Sequence, residues 1–117
     1  MRTPQLETMT LSAQMQLFAS ASGLLAVHGQ AMAWVMFLPS AERRTAAVEI
    51  FPIGLKNAIY QDLSLSLGTR YESLKAATAP GCSGSAKIEA RLTCNVTVNV
   101  EKVASAVQRM AAWTTHR

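Results

Sequence analysis

Charge is scarce in this sequence: Lys, Arg, Asp and Glu make up 15% of 117 residues, and no run of like charge exceeds Arg43-Arg44. A basic stripe interleaved with aromatics, the footprint of nucleic-acid binding, is missing, since three Phe, two Tyr and two Trp are spread over the whole chain. The net charge of +4 suits an anionic small ligand without requiring one. Long apolar runs are also missing. The longest strongly apolar stretch, Ala31 to Leu38, falls far short of the roughly 20 residues of a membrane helix. The start, Met1-Arg2-Thr3-Pro4-Gln5, is soon interrupted by Glu7 and does not read as a basic-then-apolar secretory leader. Histidine is limited to His28 and His116, neither with a spaced partner, and there is no Cys-x-x-Cys, so no metal site is expected. Cys82 and Cys94 lie in one polar segment and are either a disulfide in a lumenal chain or two separate thiols in a cytosolic one. Asn95-Val96-Thr97 is a glycosylation sequon.

What is present is apolar patterning. Half of the residues are hydrophobic, enough for one domain with a modest core and too many for a disordered chain. Thr10 is placed to cap a helix with Leu11, Met15, Phe18 and Ala19 on its apolar face, ending near Ala21 before Gly23. Leu24 to Val27 reads as a buried parallel strand, His28-Gly29 as a turn, and Ala31 to Leu38 as a helix closed by Pro39. Ala46 to Phe51, closed by Pro52, is a second strand. Lys56 to Leu67 carries Ile59, Tyr60, Leu63 and Leu67 on one helical face, with Gly68 as the stop. Tyr71 to Leu74 reads as a third strand, and 76–95 as a loop rich in small and polar residues. Val96, Val98 and Val100 approach a last helix capped by Asn99, with Glu101 at its positive end and Val103, Val107 and Met110 as its buried stripe. Strands alternating with helices imply an α/β fold, a parallel sheet flanked by helices.

In an open α/β sheet, ligands bind beyond the carboxyl ends of the strands. The turn His28-Gly29-Gln30-Ala31-Met32 lies there and leads into a helix, whose first amides are unpaired and carry partial positive charge. A phosphate fits such a turn, and a glycine lets it approach the backbone; a plain packing turn has the same pattern. His28 either donates to a phosphate or sugar oxygen or bonds to the backbone of its own turn. Glu49 either accepts both hydroxyls of a ribose or is an edge charge paired with Arg43 or Arg44. Trp34, Met32 and Met36 read as core.

Three segments in order, Leu24-Leu25-Ala26-Val27-His28-Gly29, Met36-Phe37-Leu38-Pro39 and Val48-Glu49-Ile50-Phe51-Pro52, resemble a series found in glycosyltransferase family 61. That family includes the EGF-domain-specific and O-mannose-linked N-acetylglucosaminyltransferases and the plant xylan xylosyl- and arabinosyltransferases. The flanks are similar as well: Met9 to Gln14 followed by Leu17-Phe18, Leu67-Gly68-Thr69-Arg70-Tyr71, and Val98-Asn99-Val100-Glu101-Lys102. The family's His-Gly-Ala-Gly-Leu stands here as His28-Gly29-Gln30-Ala31-Met32, which puts a methyl group where backbone and phosphate approach closely.

The resemblance covers roughly residues 5 to 113 and implies one domain over residues 1–117. This would be the Rossmann-like, C-terminal, nucleotide-sugar-binding half of a two-domain (GT-B type) inverting glycosyltransferase, with the N-terminal half absent. It implies a UDP-sugar donor held by His28, Gly29 and the amides of Gln30 and Ala31, with Glu49 at the ribose. It also implies a glycan or glycoprotein acceptor, no cofactor beyond the donor, and a Golgi or endoplasmic reticulum lumen setting. Any membrane anchor would lie in a missing N-terminal part. No catalytic base is assignable, and the alternative is a non-catalytic truncated remnant or a structural α/β domain.

Overall fold

The computed structural model describes residues 3–76 and 97–115; Cys82, Cys94, Asn95, His116 and nearly all of the expected loop 76–95 lie outside them. Three strands, β1 (Gly23–Val27), β2 (Ala46–Phe51) and β3 (Arg70–Lys75), form one parallel sheet in the order β1-β2-β3. Three helices, α1 (Leu11–Ala19), α2 (Ile59–Ser66) and α3 (Val100–Thr115), flank the sheet together with a 3-10 helix, Gln30–Phe37. The fold is therefore α/β, with helical crossovers joining neighbouring parallel strands. Among the described residues no helix is long and apolar enough to cross a membrane.

Side-chain alternation gives the sheet two faces. Leu24 and Ala47, paired across β1 and β2, join Phe18, Met32, Val35 and Leu38 in the main core, against which Ala26, Trp34, Tyr60, Leu63 and Leu67 pack. On the opposite face Ala46, Val48, Arg70 and Glu72 meet Ala106, Arg109 and Met110 of α3. Ala106 is fully buried there, with Val103, Val107 and Met110 half-buried around it, so the expected stripe is centred on a small residue that lets the helix lie close. The C-terminal end of α3 sits at the start of the strands: Trp113 Nε1 donates to Thr45 O at 3.1 Å, and the Arg44 guanidinium lies 4.3 Å from its ring centroid. Arg109 forms a two-pronged pair with Glu72.

The caps follow the expected residues. Thr10 Oγ1 accepts from Ala13 N at 3.1 Å, and Asn99 Oδ1 accepts from Lys102 N at 3.1 Å. Gly68, at φ 78, closes α2 by a Schellman turn: Thr69 N donates to Ser64 O at 2.9 Å and Gly68 N to Leu65 O at 3.1 Å.

Three details depart from expectation. The segment expected as a helix from Ala31 to Leu38 is a 3-10 helix, and it buries Met32, Val35 and Leu38 at the three-residue spacing that eclipsed 3-10 side chains require. The tighter coil also reaches further, about 16 Å in eight residues against about 12 Å for an α-helix. Helix α2 starts at Ile59 rather than Lys56, because Asn57 Oδ1 takes the Ile59 amide at 2.7 Å and holds the preceding residues in a turn. In α1 the buried side is Phe18, with Leu17 half-buried, while Leu11 and Met15 face outward; Phe18 is drawn in by its stack on Trp34, centroids 4.7 Å apart.

Candidate functional site

Strand β2 is buried along its whole length, yet its fourth residue is an acid. Glu49 has no exposed surface, so each of its oxygens must find a donor inside the protein. Both do. Tyr71 Oη donates to Oε1 at 2.5 Å, and His28 Nδ1 lies 2.6 Å from Oε2. A carboxylate accepts from both, which makes Nδ1–H the donor on the imidazole side.

Register explains the meeting. Ala26 pairs with Glu49 and Glu49 with Ser73, while Tyr71 pairs with Ala47 on the same face one step back. His28 follows the end of β1 by one residue, its amide donating to Ile50 O at 2.8 Å, so the ladder continues past the strand and aims the imidazole at the face that holds Glu49. Phe51 stacks on the His28 ring at 5.2 Å, and Tyr60 meets it edge-on at 5.5 Å. The imidazole is thereby held on two sides, with 16% of its side chain open to solvent. Burial first, then the hydrogen bond to Glu49 and its charge, push the Tyr71 hydroxyl well above its ordinary value, so it remains a donor at any physiological pH.

Beside this cluster is the turn. Gly29 has φ 153 and ψ −170, a backbone region essentially reserved for glycine. It accepts the first bond of the 3-10 helix from Met32 N at 3.0 Å, and the Gln30 and Ala31 amides ahead of that bond have no protein acceptor among the described residues. On the other flank, Phe51 and Tyr71 also line a cleft of about 200 Å³ that includes Lys56, Asn57, Gln61 and Lys75, where the β2–α2 connection faces β3. A second, more open hollow of about 440 Å³ runs along the 3-10 helix, lined by Gln30, Ala31 and Ala33 together with Leu6, Trp34, Met36 and Phe37.

His28, Gly29, Gln30 and Ala31 thus lie where the sequence puts them, at the carboxyl end of β1. Glu49 is close by but differently engaged: it is neither an edge charge paired with Arg43 or Arg44 nor a carboxylate facing solvent for a ribose. Arg44 lies instead over Trp113 at the other end of the sheet. Tyr71, for which sequence offers no role beyond packing, is the missing partner; the signal for it is the lone acid in an otherwise apolar strand, which obliges some donor to reach it. Among the described residues no group of three His, Cys, Asp or Glu is arranged to hold a metal ion. Compared with protein-family models, curated proteins and solved structures, the chain matches none of them.

Proposed function

We propose that this chain is the nucleotide-sugar-binding part of an inverting, two-domain (GT-B type) glycosyltransferase resembling family 61, with a UDP-sugar as donor and a protein or polysaccharide hydroxyl as acceptor. The observation that carries the reading is convergence. His28 of the His-Gly segment, Glu49 of the Glu-Ile-x-Pro segment and Tyr71 of the Leu-Gly-x-x-Tyr segment share one hydrogen-bonded cluster. The cluster adjoins the Gly29 turn, whose Gln30 and Ala31 amides have no acceptor among the described residues, at the end of a parallel sheet where ligands of such folds bind. The diphosphate would lie on the amides of Gln30 and Ala31, with His28 Nε2 as a further polar contact. By the same resemblance the setting would be the Golgi or endoplasmic reticulum lumen.

A second reading has an observation of its own. Glu49 is wholly buried with both oxygens engaged, as in a structural network, and Ala31 stands where the family has a glycine. That favours a non-catalytic remnant or a structural α/β domain.

Titration with UDP while following backbone amide signals separates the two. Shifts centred on Gly29 to Met32 support the donor site, and unchanged signals there at about millimolar ligand, the weak limit of specific binding, sink it. Sugar transfer by the isolated chain is not expected, because positioning the acceptor hydroxyl in line, worth up to about 7–11 kcal/mol of barrier, needs a second wall to the cleft. Turnover on EGF-like, O-mannosyl or xylan acceptors that disappears in His28→Ala would overturn that expectation.

A further inference from the structure

We infer that Glu49 is a positioning residue through which His28 binds the donor's diphosphate only as an imidazolium, so that ligand and proton bind together; the inference rests on the donor reading above. His28 has two polar ring atoms. Nδ1 is committed to Glu49 at 2.6 Å, and the ring is held between Phe51 and Tyr60, which leaves Nε2 as the atom that can face a ligand. With Nδ1–H donated to the carboxylate, a neutral ring offers a lone pair at Nε2, and a lone pair opposes a phosphate oxygen. The ring becomes a donor to an anion after Nε2 takes a proton from solvent. Tyr71, donating to the other oxygen, fixes the carboxylate in the orientation that Nδ1 needs.

No other charge among the described residues competes at this contact. The 3-10 helix packed against β1 has no titratable side chain, and α2 brings Tyr60, with Asp62 on its exposed side. Strand β3 brings Tyr71, while Glu72 faces the opposite side of the sheet, where Arg109 holds it. Lys56 and Lys75 line the adjoining cleft, and α3 with Glu101 and Lys102 lies across the sheet.

The test measures the dissociation constant of UDP-N-acetylglucosamine from about pH 5.5 to about pH 8.5. This probe is esterified at both ends of its diphosphate and so lacks the phosphate ionisation near pH 6 that would confound free UDP. The His28 ring signals, assigned by their loss in His28→Gln, give the titration midpoint in the same samples. In the wild type the dissociation constant should rise about tenfold per pH unit above that midpoint. Glu49→Gln, whose amide oxygen would keep accepting from Tyr71 and whose NH2 would then face Nδ1, should make Nε2 the donor of the neutral ring, so that binding no longer weakens as pH rises. His28→Gln should bind more weakly and lose the pH dependence; it decides the matter even if Glu49→Gln does not fold. A purely structural Glu49 would leave Glu49→Gln with weaker binding and the same pH dependence as the wild type, and that result overturns the inference. So does a pH-independent wild-type affinity with the Gly29 to Met32 shifts intact, which would leave the donor reading standing. Absence of wild-type binding at every pH overturns the donor reading and this inference with it.

Discussion

Tyr71→Phe removes one oxygen atom and isolates the stability contribution of the buried cluster. The ring stays and no cavity opens, but Glu49 Oε1, inside a residue with no exposed surface, loses its donor. A hydrogen bond to a charged group is worth about 1.5–3 kcal/mol, and no water can replace this one without opening the sheet. At about 4 °C per kcal/mol for a chain of this size, the midpoint should fall by about 6–12 °C. Urea unfolding followed by tryptophan fluorescence suits the measurement, because Trp34 and Trp113 report from opposite faces of the sheet and must agree if unfolding is two-state. The difference also has a pH signature. The Tyr71 hydroxyl titrates above its ordinary value of 10.0 in the folded chain, so its contribution is complete below about pH 10 and is lost as pH rises through the folded value. Wild type and Tyr71→Phe should therefore converge at strongly alkaline pH, with the wild type moving. A loss below about 0.5 kcal/mol at neutral pH, the ordinary range for a surface change, would refute the contact and the argument built on it.

Gly29→Ala should destabilise by about 1–3 kcal/mol, even though a Cβ there meets nothing nearer than Val27 O at 4.0 Å, because the cost is the backbone region and not a clash; denaturant unfolding reads it, and a neutral result would mean the turn relaxes freely. Glu72, held first by its hydrogen bond to Arg109, titrates below the ordinary glutamate range, so its contribution is present above that range and lost as pH falls through the folded value. Carboxyl NMR titration should show the midpoint moving up in Arg109→Ala, and less so in high salt because the pair is partly exposed.

How much of this was legible in the sequence depends on whether local chemistry or tertiary packing decides each feature. Thr10, Asn99 and Gly68 act through atoms within a few residues of themselves, and each does what its side chain or its lack of one dictates. The strand positions were legible because short apolar runs closed by His28-Gly29 and by Pro52 have few other uses in a chain of alternating elements. The coil of Gln30–Phe37 was not legible: with nearly every residue apolar, no period stands out, and only the packed structure selects the three-residue spacing of Met32, Val35 and Leu38. The buried side of α1 failed for a related reason, since its apolar residues nearly ring the helix and the stack on Trp34 chooses among them. For Glu49 the sequence suggests a ribose contact or an edge pair with Arg43 or Arg44 and not the buried cluster, because its partners are 21 and 22 residues away and depend on strand register, which no local pattern encodes.

Register brought Glu49, His28 and Tyr71 together, but it does not explain why an acid occupies the middle of the central strand. Withdrawing a carboxylate from water costs several kcal/mol, and two good hydrogen bonds return only part of that. An apolar side chain of similar volume would satisfy the same position at less cost, as Val48 and Ile50 do on either side. The triple variant Glu49→Leu, His28→Phe, Tyr71→Phe should therefore fold and be as stable as the wild type, or more stable by about 1–4 kcal/mol, while Tyr71→Phe alone is weakened. The contrast follows from what each change leaves behind: the single variant strands a buried charge, and the triple variant removes the charge with both donors. Amide titration of the triple variant should then show no response to UDP-N-acetylglucosamine at Gly29 to Met32. Equal stability with lost binding would mean that the cluster is kept for a ligand at a cost to the fold. A triple variant less stable than the wild type by more than about 2 kcal/mol would refute that and make the cluster a structural device, since a core that merely tolerates these polar groups cannot lose that much when they become apolar.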